Sequence, residues 1–303
     1  MAGVITTGNH PKALWPGVKA WWGRQYDEHQ EEFVDLFDAD TSTKNYEEDV
    51  QVTGFGMAPV KAEGASVQYD SETQGITSRY THVAYALGYI VTREELDDNM
   101  YEVVSKRRAQ ALAFSMRQTK ETVAANVYNR AFTAAYSGGD GKELLATDHP
   151  TLSGDQSNEL ATAADFSEAS LEDLIIQIMG VTNERGLKIS LMPRCLIVPR
   201  QTWFEANRVL KSTLQNDTAN NAINALKATN ALPEGIKVNH YLSDQDAWFV
   251  RTNAPRGMLH YQRTPIEFTQ DNDFDTENAK AKNYERYSFG WTDFRGLYGS
   301  PGA

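Results

Sequence analysis

The residues of this chain that could do chemistry are few, and their spacing argues against most of the reactions they suggest. Asp148-His149-Pro150 with Ser153 nearby holds the three side-chain types of a hydrolase triad: an acid to orient an imidazole, and a hydroxyl for it to activate. No nucleophile elbow surrounds Ser153, however, and a His before Pro in a polar stretch reads more simply as a loop residue. Gly138-Gly139-Asp140-Gly141-Lys142 invites a phosphate-cradling reading. Such a loop needs Gly where Tyr136 stands and Ser or Thr where Glu143 stands, and it should open a helix, so a helix-terminating turn fits better. Asp271-Asn272-Asp273-Phe274-Asp275 alternates oxygen ligands like a calcium loop, but Thr276 takes the Gly position and Lys282 the bidentate Glu position, leaving a solvated acidic turn. His10, His29, His82, His149, His240 and His260 show no metal-ligand spacing. Cys195 lies in the apolar run Cys195-Leu196-Ile197-Val198 and reads as an inert buried thiol. No catalytic residue, cofactor site or metal site is expected.

Composition narrows the remaining classes. At 303 residues and 41% hydrophobic, the chain can hold one large or two ordinary domains with a real core. The 29 basic and 41 acidic residues give a net charge of −12, so nothing draws it electrostatically to nucleic acid or an anionic membrane. One cysteine excludes an internal disulfide framework and fits a reducing compartment. The opening Met1 to Gly8 lacks the regions of a signal peptide, and no apolar run approaches membrane-spanning length, so a cytosolic product is expected.

The elements that must position these residues have an unusual proportion. Thr92-Arg93-Glu94-Glu95 has the spacing of a capping box, with further acidic residues at Asp97 and Asp98 where a helix dipole favours them. No Pro or Gly follows until Gly138, so one amphipathic helix is expected over 92–136, about 65 Å long at ~1.5 Å of rise per residue. Leu96, Met100, Val103, Ala111, Phe114, Val123, Val127 and Tyr128 supply its apolar contacts. Its basic residues, Lys106, Arg107, Arg108, Arg117, Lys120 and Arg130, read as ion-pair partners such as Lys106 with Glu102 rather than as a nucleic-acid patch. A helix of that length exceeds what a compact domain needs and suits a strut under a flat subunit.

Ahead of the helix lie segments with little core of their own. Residues 1–47 read as an arm with an aromatic helical stripe through Trp15, Trp22, Tyr26, Phe33 and Phe37. Residues 48–80 hold short β-favouring runs, Val50-Gln51-Val52-Thr53 and Ser66-Val67-Gln68-Tyr69, divided by glycines and Pro59. A lone hairpin is marginal in water, so this excursion should lie on another surface of its own chain or a neighbour's. Val83 to Val91 alternates as a half-buried strand feeding the helix. Beyond residue 155, Ser170 should cap a helix ending near Gly186, Cys195 to Val198 should form a strand, and Thr202 to Glu205 is a second capping box. Asn216 to Asn221 reads as a loop tip, and strands are expected at 236–242, 248–252, 258–262, 266–269, 284–291 and 295–298.

In this order, the arm, excursion, strand, capped helix with acidic first turns, Gly-Asp-Gly turn at 139–141 followed by Leu144-Leu145, and α/β region resemble the major capsid proteins of tailed bacteriophages. Glu277-Asn278-Ala279-Lys280-Ala281-Lys282, with Tyr287 to Asp293 and Arg295-Gly296-Leu297-Tyr298-Gly299, resembles the tail of Mu-like major head subunits. The resemblance implies an α+β, Hong Kong 97-type capsid fold. Its parts would be an N-terminal arm at 1–47, an extended loop at 48–80 and a peripheral domain at 81–155 carrying the spine helix. An axial domain at 156–262, a peripheral return at 263–292 and a closing axial strand at 293–303 would follow.

The function implied is structural: a head protein that self-assembles into an icosahedral shell of pentamers and hexamers around double-stranded DNA. It would be a virion component assembled in the host bacterial cytoplasm, with a separate scaffolding protein and a portal as partners and no membrane. Inter-subunit contacts are expected from Trp15, Trp22, Tyr26, Val52, Phe55, Met57, Lys61, Val67 and Tyr69. Some members weld subunits by a Lys–Asn isopeptide bond; Lys61 lies in the right loop, but no motif fixes it or a partner, and the crosslink is not carried over. An encapsulin-like compartment shell is the alternative of the same architecture, and a soluble hydrolase using His149 and Ser153 the alternative of another class.

Overall fold

The computed structural model describes residues 30–94, 101–215 and 222–303, with the backbone alone over 101–106. The arm residues Trp15, Trp22 and Tyr26, the capping partner Glu95 and the loop 216–221 lie outside those described, as do the side chains of the Glu102–Lys106 pair.

Two four-stranded sheets carry the chain. The first has the order β1 (Asp38–Thr41), β8 (Met258–Asn272), β9 (Ala279–Trp291), β4 (Val83–Val91), and α2 (Tyr101–Asn129) lies across it. Val83–Val91 forms because Tyr85, Tyr89 and Val91 alternate onto one face, where Tyr85 and Tyr89 meet Ala109, Leu112, Ala113 and Met116 of the helix. Those four are buried, as are Ala124, Ala125 and the expected Tyr128 further along, whereas Ala111 and Phe114 face outward. The expected stripe holds at Val127 and Tyr128 but misses at Ala111 and Phe114, and between these the buried face continues through charged residues, Arg117, Lys120 and Glu121, each with a partner of its own.

The helix ends at Asn129 rather than 136, so its 29 described residues span about 44 Å. Nothing local stops it. Asn129 turns its side chain to the Tyr241 carbonyl and the Ser243 amide, at 3.1 and 2.9 Å. The Ala131 carbonyl accepts the Leu145 N–H at 2.9 Å. Tertiary hydrogen bonds thus replace the helical ladder, and residues 130–136 follow as turns.

The second sheet has the order β10 (Leu297–Ser300), β7 (Trp248–Thr252), β5 (Pro193–Pro199), β6 (Gly235–Asn239), covered by α3 (Glu168–Gly180) and α4 (Trp203–Lys211). Leu171, Leu174, Ile175 and Ile178 of α3 are buried against it, as their spacing predicts. The cap is Ser167, with Ser170 as its capping-box partner three residues on, and the helix stops at Gly180, short of Gly186. Thr202 precedes α4 but makes no side-chain cap; its hydroxyl donates instead to the Gln245 carbonyl at 3.1 Å. A short α5 (Ala225–Ala228) is capped by Asn224.

Between the sheets one cluster joins both. Phe33, Leu36 and Phe37 meet Tyr128, Leu145, Ile197, Phe249 and Leu297 there, and the short α1 (Phe33–Leu36) supplies the first of these. Cys195 lies in the same cluster, and burial pushes its thiol up to about 11, which keeps it protonated and inert.

Candidate assembly surfaces

The segment 48–80 is organised as a stem and a loop. The stem pairs β2 (Tyr46–Val52) antiparallel with β3 (Gln74–Thr81), from Tyr46↔Thr81 to Val52↔Gln74. Its root is fastened to the first sheet by charge and aromatic contacts. The Arg256 guanidinium grips Asp49, which also accepts the Thr292 hydroxyl at 2.8 Å. Tyr80 lies 2.6 Å from Thr292 through its hydroxyl and edge-on to Tyr261.

At the far end of the stem two threonines close the strands. The Thr53 N–H donates to the Thr73 carbonyl at 3.1 Å, and the Thr73 N–H donates to the Thr53 hydroxyl at 3.0 Å. Gly54 then takes a positive φ of 65°, a conformation that glycine adopts without steric cost and that turns the chain out of the stem. Beyond the clasp, residues 54–72 contain no strand. Ser66-Val67-Gln68-Tyr69, which has strand character in sequence, forms none because no backbone lies alongside it among the described residues; pairing, not propensity, makes a strand.

Of the predicted contact residues, Phe55, Met57, Lys61, Val67 and Tyr69 sit in this loop and Val52 at the end of its stem. Val52, Phe55, Met57, Lys61, Val67 and Tyr69 are all exposed, Met57 at 82% and Tyr69 at 91%. Val60 is fully exposed as well and belongs with them. Its signal, one apolar residue between Pro59 and Lys61, is too weak to find by pattern. A single-chain fold has no reason to hold that much apolar side chain in water, whereas contiguous exposed apolar surface marks interaction sites. One strap ties the loop to its own subunit. Asp70 accepts the Gly56 N–H at 2.8 Å and pairs with Arg185 at 3.1 Å, and Arg185 also donates to the Ser71 carbonyl. The Gly56 and Ser71 amides, with Arg185, hold the Asp70 carboxyl below its ordinary range.

Further exposed apolar residues lie by the second sheet: Trp203 and Phe204 at the start of α4, their rings 5.0 Å apart, and, separately, Ile176 and Met179 on α3. Sequence reading assigned Trp203 and Phe204 only to a helix start. Phe274, 96% exposed in the turn between β8 and β9, was likewise read only as part of an acidic turn.

The residues that suggested chemistry do not come together. Asp148 pairs with Lys142 at the surface. His149 is fully buried, with Nδ1 2.6 Å from Asp140 Oδ2, Nε2 3.1 Å from Asn158 Oδ1, and its ring stacked on Phe294 at 4.0 Å. Ser153 Oγ faces Thr151 Oγ1 at 3.1 Å. Both nitrogens of the imidazole face groups other than the serine, so neither is directed at the Ser153 hydroxyl. Asn158 makes the histidine part of a structural hub, since its amide also donates to the Leu144, Phe294 and Leu297 carbonyls. The turn at Asp271–Asp275 closes the β8–β9 hairpin, with Lys280 on Asp273. Among the described residues no group of three or more acidic, His or Cys side chains could hold a metal ion, and no helix is long and apolar enough to cross a membrane.

A family model described as phage capsid protein matches residues 75–300. No curated protein matches the chain. Among solved structures, a virus-like particle from Pyrococcus furiosus is similar with a TM-score of 0.56 and 10% identity, over 94% of this chain and 98% of that one. The capsid of a native GTA particle gives 0.56 and 9%, over 89% of each. A structure from Mycobacterium phage Che8 gives 0.52 and 14%, over 90% and 93%.

Proposed function

The chain belongs to the phage capsid protein family, with a Hong Kong 97-type fold and a structural role in an icosahedral head, and from that premise we propose how its copies close the shell. Identical subunits associate through repeated head-to-tail contacts that close into pentamers and hexamers, and these into a shell. The sheet under α2 serves as the peripheral domain and the sheet under α3 and α4 as the axial domain. Residues 263–292, which take in most of β8 and all of β9, make the return to the peripheral domain. The loop beyond the Thr53–Thr73 clasp lies over a neighbouring subunit.

The observation that carries this reading is the stem-and-clasp loop, which holds Phe55, Met57, Val60, Val67 and Tyr69 exposed and, among the described residues, is strapped to its own subunit by Arg185. Each interface need only be modest, because a subunit in a closed shell is held by many at once. The net charge of −12 suits a shell that confines DNA without adhering to it. A separate scaffolding protein and a portal complete the head, which is built in the host cytoplasm, and the subunit itself has no enzymatic step. The tail from Glu277 to Gly299 supports a place near Mu-like head subunits.

The test replaces residues 54–72 with an Asn-Gly turn, which suits a two-residue hairpin between Thr53 and Thr73. A soluble folded monomer that forms no shells is the expected outcome; normal particles by electron microscopy would refute the role of the loop. Particles of the intact chain that hold a protein cargo and never DNA would favour an encapsulin-like compartment instead.

A further inference from the structure

β4 is the outermost strand of its sheet, and among the described residues nothing pairs with its free edge. Edge strands are ordinarily blunted by charge, proline, bulges or shortness, because their unpaired N–H and C=O groups recruit other strands. β4 has none of these protections. Its 9 residues include no charged side chain and no proline, and its register with β9 runs unbroken from Val83↔Tyr287 to Val91↔Ala279. The face turned away from α2 presents Ala84, Ala86, Gly88 and Ile90, all exposed. At Gly88 a Cβ would fall 2.7 Å from the Ala281 carbonyl oxygen and 3.0 Å from Lys282 Cβ, so glycine is required and the exposed Lys282 can be approached from the edge.

The same chain carries a strand without a place. Ser66-Val67-Gln68-Tyr69 alternates apolar and polar, is uncharged, and is flanked by Glu63, Asp70 and Glu72, opposite in sign to Lys282. It cannot reach its own β4. Tyr80 lies against Gly290 and Val83 pairs with Tyr287, so β3 and β4 run end to end along β9. From Thr73 to Val83 is 83 − 73 = 10 residues, about 33 Å of strand. From Thr73 back to Ser66 is 73 − 66 = 7 residues, at most about 25 Å fully extended. With the clasp shut, the segment falls short of the nearest residue of the edge.

We propose that the free edge of β4 receives Ser66–Tyr69 of a second copy as an added strand, with backbone hydrogen bonds supplying affinity and Tyr69 lying across the small residues Ala84 and Ala86. The proposal rests on the capsid reading and deepens it by naming which backbone of the neighbour the loop engages.

The experiment uses full-length chains carrying one added cysteine each, Val67→Cys in one and Ala84→Cys, Ala86→Cys or Leu87→Cys in the other, mixed before assembly. Disulfides form only where Cα atoms come within about 7 Å, so crosslinking reports register. A crosslinked dimer is expected in shells from at least one mixture and from neither variant alone, and those 83–91 amides that point away from β9 should exchange roughly tenfold or more slowly in shells than in dispersed subunits. Leu87→Lys, at an exposed site, should leave the subunit folded and cut shell yield by about tenfold or more. Shells that form without any crosslink and with unchanged exchange would overturn the pairing and leave the capsid reading standing. Protection, already in dispersed subunits, of those 83–91 amides that point away from β9 would overturn it too, by showing the edge covered in cis. Failure of the unmodified chain to form shells would overturn both.

Discussion

Lys120→Met should destabilise the subunit severely, and adding Glu285→Met should restore most of the loss. The two side chains form an ion pair at 2.6 Å between α2 and β9, only 4% and 1% exposed. Glu285 Oε2 is buried and has no hydrogen-bond partner, so the lysine is its carboxylate's principal compensation. The ammonium also lies 4.9 Å from the Phe33 ring centroid and 5.2 Å from that of Tyr287. Removing one member of a buried pair leaves an uncompensated charge, at a cost of about 3–5 kcal/mol. At roughly 2–4 °C per kcal/mol for a domain of this size, the midpoint should fall by about 6–20 °C. Replacing both by apolar residues of similar volume is on the order of neutral, or stabilising by ~1–4 kcal/mol. Urea unfolding of dispersed subunits, followed by tryptophan fluorescence, reads both variants. A single substitution costing less than about 1 kcal/mol, or a double variant as unstable as the single, would refute the reasoning.

Other perturbations test other parts of the molecule. Thr53→Val removes the hydroxyl that accepts the Thr73 N–H, so protease cleavage within 54–72 should rise by roughly tenfold, as about 1–1.5 kcal/mol of local opening implies, while the rest of the subunit resists. Burial pushes the Glu121 carboxyl up to about 7, against the Glu32 and Phe33 amides that lower it. Its contribution to stability is therefore full below about pH 4.5 and lost as pH rises through about 7, and Glu121→Gln should flatten that part of a pH–stability profile. His149→Ala should cost about 2–4 kcal/mol by orphaning Asp140 and Asn158, while Ser153→Ala should be neutral within ~0.5 kcal/mol, a contrast that calorimetry resolves and that a catalytic pair would not show. Cys195 should react with a thiol reagent only when the subunit unfolds.

Local pattern made the paired elements legible wherever one strand carried its own alternation. Val83–Val91 and Trp248–Thr252 fall where their sequence places them. The two strands expected at 258–262 and 266–269 are one, β8, which continues through Pro265 by shifting register between Gln262 and Thr264 and again before Glu267, the kind of irregularity at which a sheet tolerates proline. The end of α2 was invisible because Asn129 and Ala131 find partners at Tyr241, Ser243 and Leu145, distant in sequence. The exposed loop residues were legible as a group, since a segment without core-forming residues must lie outside. The role of His149 was not legible, because Asp140 and Asn158 lie in separate turns that only the folded chain brings together.

Shell formation by one kind of chain is the central claim, and sedimentation of the purified, unmodified protein at high concentration, with electron microscopy of the fastest fraction, tests it most directly. Closed shells of megadalton mass are expected. A protein that stays at the mass of one chain however concentrated, with residues 54–72 folded back on its own body, would contradict it.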